Sequence, residues 1–347
     1  LTKRNVFLLA TCAVLIATAI LLIIYNLNMQ GRQESYTKVV MGPAQIPWNL
    51  YGVVLDLGGL GNPDDRSIES PTIIKLKDNS YVMWYRGQGF ADKTGRIMRA
   101  ISKDGINWTR TGVVMEPVEE YEGDKIDPMT VIYEDGIYKM WYGGDSYGGC
   151  ACYATSADGI SWTRYEGNPV LRKTSGSWDN EGAGGQNSVI KAGGRYYMFY
   201  KGYGKKDPGW TFYGIAESDD GINWMKKGKI LSPDPEIGDT TIYRNLCAFM
   251  INNTYCLMFT MVEYLDLFLA SSQDGKTWNK HGLVFAHGYT PNGYDSKWST
   301  SPCIIMEGQI IRMWYEGGDN NGRVRTLYAE TNKSWISHAL KNTVKKP

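Results

Sequence analysis

The chain has 347 residues, of which 43% are hydrophobic and 21% charged, so a large buried core is expected. With 37 basic and 36 acidic residues the formal net charge is +1, and no basic excess points to nucleic acid as a partner. His281, His287 and His338 are the only histidines, too few for a His-based zinc site or a Ser-His-Asp hydrolase to be attractive.

Residues 6–25 (VFLLATCAVLIATAILLIIY) carry no charge, a run long enough to cross a bilayer core at the helical rise. The run exceeds the apolar region of a signal peptide, and its small residues lie inside it. An uncleaved signal anchor is therefore expected rather than a cleaved signal. Lys3 and Arg4 precede the span and only Arg32 follows closely, which places the N-terminus in the cytoplasm and the rest outside. The expected organisation is an anchor with linker over residues 1–37 and a globular domain over residues 38–347.

That domain is built on a repeat. Ser102-Lys103-Asp104-Gly105-Ile106-Asn107-Trp108 returns as Ser156 to Trp162, Ser218 to Trp224 and Ser272 to Trp278, with a worn fifth copy at Thr331 to Trp335. The tryptophans step by 54, 62, 54 and 57 residues, the signature of one supersecondary unit used five times. Before each turn lies an apolar strand, a hairpin turn, and a second strand such as Tyr81-Val82-Met83-Trp84-Tyr85 or Tyr138-Lys139-Met140-Trp141-Tyr142, whose alternation predicts a half-buried element. A third strand leads into the Asp-Gly turn, and a fourth carries the Trp. Five such units predict an all-β, five-bladed β-propeller of four-stranded antiparallel blades. The segment 48–55, similar to the fourth strand at residues 111–115, is expected to complete the last blade. Asp, Gly and Trp of the repeated turn read as scaffold: Asp bonds turn amides, Gly takes positive φ, and Trp packs between blades.

Cys150 and Cys152 stand two apart on one strand face, which suits neither a redox motif nor a zinc knuckle. A Cys247–Cys256 disulfide and a set of buried free thiols both remain open.

First strands of a propeller converge on its axis, so the approaches to them surround one mouth. Those approaches contain Asp64, Asp65, Arg66 and Glu69 in blade one, and Asp124, Lys125 and Asp127 in blade two. Blade three contributes Trp178, Asp179 and Glu181, blade four Asp239 and Arg244, and blade five Asp295 and Trp298. Clustered carboxylates are what glycoside cleavage needs: one acid protonates the leaving oxygen while another attacks or activates water. Asp65, Glu69, Asp127 and Glu181 are the candidate catalytic residues. Arg66, Trp178, Arg244 and Trp298 are the candidate substrate-binding residues. The competing reading is that these acids only satisfy turn amides or pair with Arg66, Lys125 and Arg244.

Over residues 45–337 the repeat resembles the five-bladed propeller glycosidases of the furanosidase type, glycoside hydrolase families 43, 32 and 68, with family 130 phosphorylases as relatives. The resemblance implies an Asp-Pro base opening blade one, an Asp-Pro opening blade two whose acid orients and tunes pKa, and a Glu-Gly-Pro general acid opening blade three. Asp127-Pro128 matches the blade-two motif. Ser70 stands where blade one should hold Asp, with Glu69 one residue earlier. Gly185-Gln186-Asn187 occupies the place of the blade-three Glu-Gly-Pro, with Glu181 four residues upstream. The turns also resemble the Asp boxes of sialidases, but are one residue short. The expected function is a membrane-anchored, glycoside hydrolase-like protein acting on extracytoplasmic poly- or oligosaccharide. The alternative is a non-catalytic, lectin-like or scaffold propeller that binds glycan. No cofactor is expected; the resemblance allows an axial Ca²⁺, although no oxygen-rich loop asks for it.

Overall fold

The computed structural model describes residues 46–144, 149–205, 211–233, 243–262, 264–290 and 292–341. Five four-stranded antiparallel units succeed one another. Blade one comprises β2 (Ser67–Lys75), β3 (Tyr81–Gln88), β4 (Gly95–Ser102) and β5 (Trp108–Met115). Blade two follows as β6 (Ile126–Glu134), β7 (Ile137–Gly144), β8 (Cys150–Ser156) and the short β9 (Thr163–Arg164). Blade three is β10 (Gly182–Ala192), β11 (Arg195–Tyr203), β12 (Phe212–Ser218) and β13 (Met225–Leu231). Blade four is β14 (Tyr243–Ile251), β15 (Thr254–Met261), β16 (Asp266–Ser272) and β17 (Asn279–Phe285). Blade five takes β18 (Trp298–Glu307), β19 (Ile310–Gly318) and β20 (Val324–Asn332) from the end of the chain. Its fourth strand is β1 (Asn49–Leu55), antiparallel to β20, so both ends of the domain close the ring as expected.

The first strands β2, β6, β10, β14 and β18 each pack against the next, and β18 returns to β2. Small acceptors tie them together at the axis. Thr130 Oγ1 accepts from the Val189 amide at 3.0 Å and Ser188 Oγ from the Ala248 amide at 2.9 Å. Cys303 Sγ takes the Ile73 amide at 3.2 Å, and Cys247 makes the same contact to Ile304. These thiols therefore occupy positions that hydroxyls fill in other blades. All five described cysteines are free. Register explains why Cys247 and Cys256 do not bridge: Cys247 faces Met258, while Cys256 faces Phe249.

The second strands are buried on both faces, not one. Tyr81, Val82, Met83, Trp84 and Tyr85 are all inaccessible, because each blade is sandwiched between two others. The repeated turn makes that sandwich specific. Asp104 Oδ1 accepts from the amides of Ile106 and Asn107, each at 2.8 Å, and Ser102 Oγ accepts from Gly105 N at 2.8 Å. This frees the glycine carbonyl for the neighbouring blade. Trp84 Nε1 donates to Gly159 O at 2.9 Å, Trp141 to Gly221 O at 2.8 Å, and Trp314 to Gly105 O at 2.8 Å. In blade three Phe199 replaces the indole and meets Trp278 edge-on, ring centres 5.7 Å apart. The worn fifth copy is no turn: it opens the helix α1 (Lys333–Ala339), capped by Asn332 accepting from Ser334 N at 2.9 Å.

Among the described residues no helix is long and apolar enough to cross a membrane. The span expected at residues 6–25 lies outside the described residues.

Candidate active site

Each first strand carries a bulge near its start, at Glu69/Thr72, Pro128/Thr130, Ala183/Asn187, Arg244/Leu246 and Thr300/Cys303. Ser70, Asn245 and Ser301 sit in these bulges with φ of 52°, 34° and 49°, a conformation that side chains other than glycine adopt at a cost. Bulges re-aim side chains, and these five turn theirs into one mouth. The second strands meet them there. The fifth residue after Tyr81, Tyr138, Tyr196, Tyr255 or Ile311 is Arg86, Gly143, Lys201, Thr260 or Glu316 in turn. Glu69 pairs with Arg86, Asp127 with Gly143, Arg244 with Thr260, and Thr300 with Glu316.

The resulting cavity has a volume of about 630 Å³, within the range of small-molecule sites. Glu69, Asp127 and Glu316 face it together with Arg86, Lys125, Lys201 and Arg244, and Trp298 forms part of the wall. Arg86 clamps two acids: Nη1 lies 2.8 Å from Asp127 Oδ2, and Nη2 donates to Glu69 Oε2. Ser70 Oγ donates to Asp127 Oδ1 at 3.0 Å, and Ser67 Oγ to Glu69 Oε1 at 2.7 Å. Glu316 accepts from the Ser70 amide, and from Thr300 Oγ1 at 2.8 Å.

Asp127, Glu69 and Glu316 surround one buried guanidinium. Burial opposes the Arg86 charge, but Asp127, Glu69 and Glu316 outweigh it and hold the guanidinium above its ordinary value. Burial raises the Asp127 carboxyl. Arg86 pulls it back, Glu69 adds to the rise, and the outcome is a carboxyl above its usual range. Glu316 is pushed up to about 7, first by burial and then by Glu69, against the donors that surround it. The site therefore holds two carboxyls, Asp127 and Glu316, whose proton affinity is raised beside one guanidinium, a perturbation typical of acid–base chemistry.

Of the predicted site residues, Asp127, Glu69, Arg244 and Trp298 come together on this cavity. Trp298 lies over Gly318, where a Cβ would fall 1.8 Å from the indole, so the glycine makes room for the ring. The other four do not line the cavity. Asp65 caps its own loop, accepting from Gly61 N at 2.7 Å and Phe90 N at 2.8 Å. Arg66 reaches Gln88, with Nη1 3.4 Å from Oε1. Glu181 is 42% exposed and faces Lys205 Nζ at 3.6 Å. Trp178 stacks on Tyr200, centroids 5.8 Å apart, and fills the space left by Gly202 and Gly214.

The remaining acids of the strand approaches largely serve the blades. Asp64 holds Tyr85 Oη at 3.0 Å and Arg110 Nε at 2.7 Å; Glu122 holds Tyr142 Oη and Arg164 Nε, each at 2.8 Å. Asp179 repeats the arrangement with Tyr200 Oη at 3.4 Å and Lys226. Sequence reasoning missed Arg86 and Glu316 as site members, because both lie on second strands. Their common signal is the residue following the aromatic pair, Trp84-Tyr85 and Trp314-Tyr315. Among the described residues no group of three or more His, Cys, Asp or Glu side chains could hold a metal ion.

Fold and site together define a propeller of the glycosidase type, with an acid-lined cavity at the convergence of its first strands. The chain belongs to the family described as glycosyl hydrolases family 32 N-terminal domain, whose model matches residues 62–183 and again 177–298. That membership agrees with the expectation of a glycosidase-type enzyme. The chain is also similar to an uncharacterised protein of Mycobacterium tuberculosis, 27% identical over 250 residues, 65% of this chain and 80% of that protein. It is 28% identical over 222 residues to a 1,2-β-oligomannan phosphorylase of Thermoanaerobacter sp., covering 60% of this chain and 70% of the relative. A β-1,2-mannobiose phosphorylase from Listeria innocua, solved with β-1,2-mannobiose, shares the fold at a TM-score of 0.67 and 15% identity, over 85% of this chain and 99% of the other.

Proposed function

We propose that this chain cleaves a glycosidic bond of an oligo- or polysaccharide in the central cavity, with Asp127 as the proton donor. The observation that carries the reading is the fixing of Asp127: Arg86 holds one carboxyl oxygen at 2.8 Å, Ser70 the other at 3.0 Å, and burial raises its pKa. Such a carboxyl can give its proton to the leaving oxygen as the anomeric C–O bond breaks. Trp298 offers a flat apolar face for a sugar ring at the cavity wall.

A second reading concerns the attacking group. No carboxylate stands at the blade-three start, where Gly185 and Gln186 line the cavity and Glu181 lies off it. Lys125, Lys201 and Arg244 line the same space. A cationic wall suits an attacking phosphate better than an activated water, in keeping with the phosphorylases to which the chain is similar. Phosphorolysis would transfer the glycosyl group to a phosphate oxygen and leave a sugar 1-phosphate.

The test uses the full chain on arabinan, fructan, xylan and mannan oligosaccharides, β-1,2-linked mannan included, with and without inorganic phosphate. Free sugar without phosphate supports hydrolysis, and sugar 1-phosphate supports phosphorolysis. Either should vanish in Asp127→Asn. Glycan binding with no turnover under any condition overturns the enzymatic reading in favour of a glycan-binding propeller.

The uncharged run at residues 6–25 supports display of the propeller on the outer face of a membrane. Protease added to intact cells should then remove the propeller, and full protection would refute that placement.

A further inference from the structure

The cavity floor is a continuous hydrogen-bonded belt that passes through every blade. Gln186 of blade three donates through Nε2 to Asn245 Oδ1 of blade four, and Asn245 Nδ2 donates to Ser301 Oγ of blade five. Ser301 bonds the Glu316 carboxyl, and Glu316 accepts the amide of Ser70 in blade one. Ser70 Oγ then donates to Asp127 of blade two at 3.0 Å. The three non-glycine residues in left-handed bulges, Ser70, Asn245 and Ser301, are all members of this belt. Bulges that cost energy persist where surrounding bonds over-determine them.

Glu316 is the one charged group between the polar arc and Asp127. It is 5% exposed and, among the described residues, makes no ion pair of its own. Its surroundings are Glu69 and Ser70 of β2, Arg86 of β3, and Thr300 and Ser301 of β18. Asp127 is faced by Lys125 of its own approach and by Glu69, Ser70 and Arg86. Lys201 and Arg244 line the same cavity.

We propose that Glu316 is a positioning residue for Asp127: it fixes the Ser70 bulge whose hydroxyl orients the Asp127 carboxyl, and its charge competes with Asp127 for the field of Arg86. This rests on the reading of Asp127 as proton donor, and it assigns Glu316 no contact with the reacting atoms. The sign of the charge effect follows from the geometry. Above about pH 7, where Glu316 is ionised, its carboxylate draws on the Arg86 charge and so leaves Asp127 a better proton holder. Neutralising Glu316 hands the full Arg86 field to Asp127, which then releases its proton at lower pH.

The test is a carboxyl-carbon NMR titration of the full chain labelled at Asp Cγ, with Asp127→Asn identifying the resonance. In Glu316→Gln the Asp127 midpoint should fall by about one pH unit, and the alkaline limb of kcat should move with it, about a tenfold loss at a fixed pH on that limb. In Ser70→Gly, which keeps the left-handed bulge but lacks the hydroxyl, the midpoint should rise, because a donor to the charged form is gone. A Glu316 with a merely structural role would lower the melting temperature and leave the Asp127 midpoint in place, which overturns the proposal. Should Glu316→Gln not fold, Ser70→Gly decides: an unmoved midpoint there also overturns it. Full turnover by Asp127→Asn refutes instead the proton-donor reading, and the two failures are distinguishable because the titration needs no substrate.

Discussion

The indole N–H of Trp84 in blade one donates to the carbonyl of Gly159 in blade two at 2.9 Å, joining the buried second strand of one repeat to the turn of the next. Gly159 has φ of 71°, and a Cβ there would lie 2.9 Å from the Trp84 ring. Trp84→Phe should therefore cost about 1 kcal/mol beyond the lost ring volume, since a buried carbonyl loses its donor. Gly159→Ala should cost more, about 1–3 kcal/mol, from backbone strain and the clash together. Urea unfolding of both variants checks the order. Equal stability of Gly159→Ala and wild type would contradict the packing described.

Arg86 is the counter-charge for Glu69 and Asp127, at 14% side-chain exposure. Arg86→Met removes it and keeps much of the volume. Breaking a buried pair from one side typically costs about 3–5 kcal/mol, because a charge is left without a partner. The carboxyls can escape by taking up protons, so the loss should be large at pH 8 and smaller at pH 5. Melting temperatures at both pH values measure this, and a penalty independent of pH would show that the guanidinium matters only as packing.

The two classes of shifted acid in this fold give stability of opposite sign. Glu316 is raised to about 7, so its contribution is fully present below its unfolded value and is lost as pH rises through 7. Glu316→Gln removes that loss. It should be more stable than wild type at pH 8 by on the order of 2 kcal/mol, and no more stable at pH 4. Asp158 and Asp274 lie at the other extreme, each held down at about 2 chiefly by two amides of its own turn, Ser161 and Ile160 or Thr277 and Lys276. Their contribution is present above the ordinary carboxylate range and is lost as pH falls toward 2. Asp158→Asn should flatten the acid limb of the stability curve and leave the alkaline limb unchanged.

These turns also show why the architecture could be read from the residues while half of the candidate site could not. Asp104 bonds Ile106 and Asn107, two and three positions on, so the information is local and recurs in register. Once the turn is placed, the strands before it follow by alternation, and the closing strand β1 follows from its likeness to β5. A carboxylate ahead of a first strand carries no such signal. Asp127 turns to the axis and meets Arg86 of the preceding blade, whereas Asp64, Glu122 and Asp179 turn back to a tyrosine and a cation of their own blades. The mouth is shaped by the bulges, and their left-handed residues, two serines and an asparagine, are ordinary in sequence. Glu316 was hidden for a different reason. It occupies the position of Arg86, Gly143, Lys201 and Thr260, five residues with no chemistry in common.

The axial thiols make a last prediction. Cys303 accepts the Ile73 amide at 3.2 Å, in the role that Thr130 and Ser188 play for Val189 and Ala248. Burial holds its thiol well above the ordinary range, so it is neutral and a poor nucleophile. Cys303→Ser supplies the acceptor of the other blades and should fold with a melting temperature within a few degrees of wild type. Cys303→Val matches the size but leaves the buried amide of Ile73 unsatisfied, which should cost about 1–3 kcal/mol. Reducing agent should change neither, because the thiol is free. If valine were tolerated as well as serine, the axial bond would add nothing, and the ring would be held by apolar packing alone.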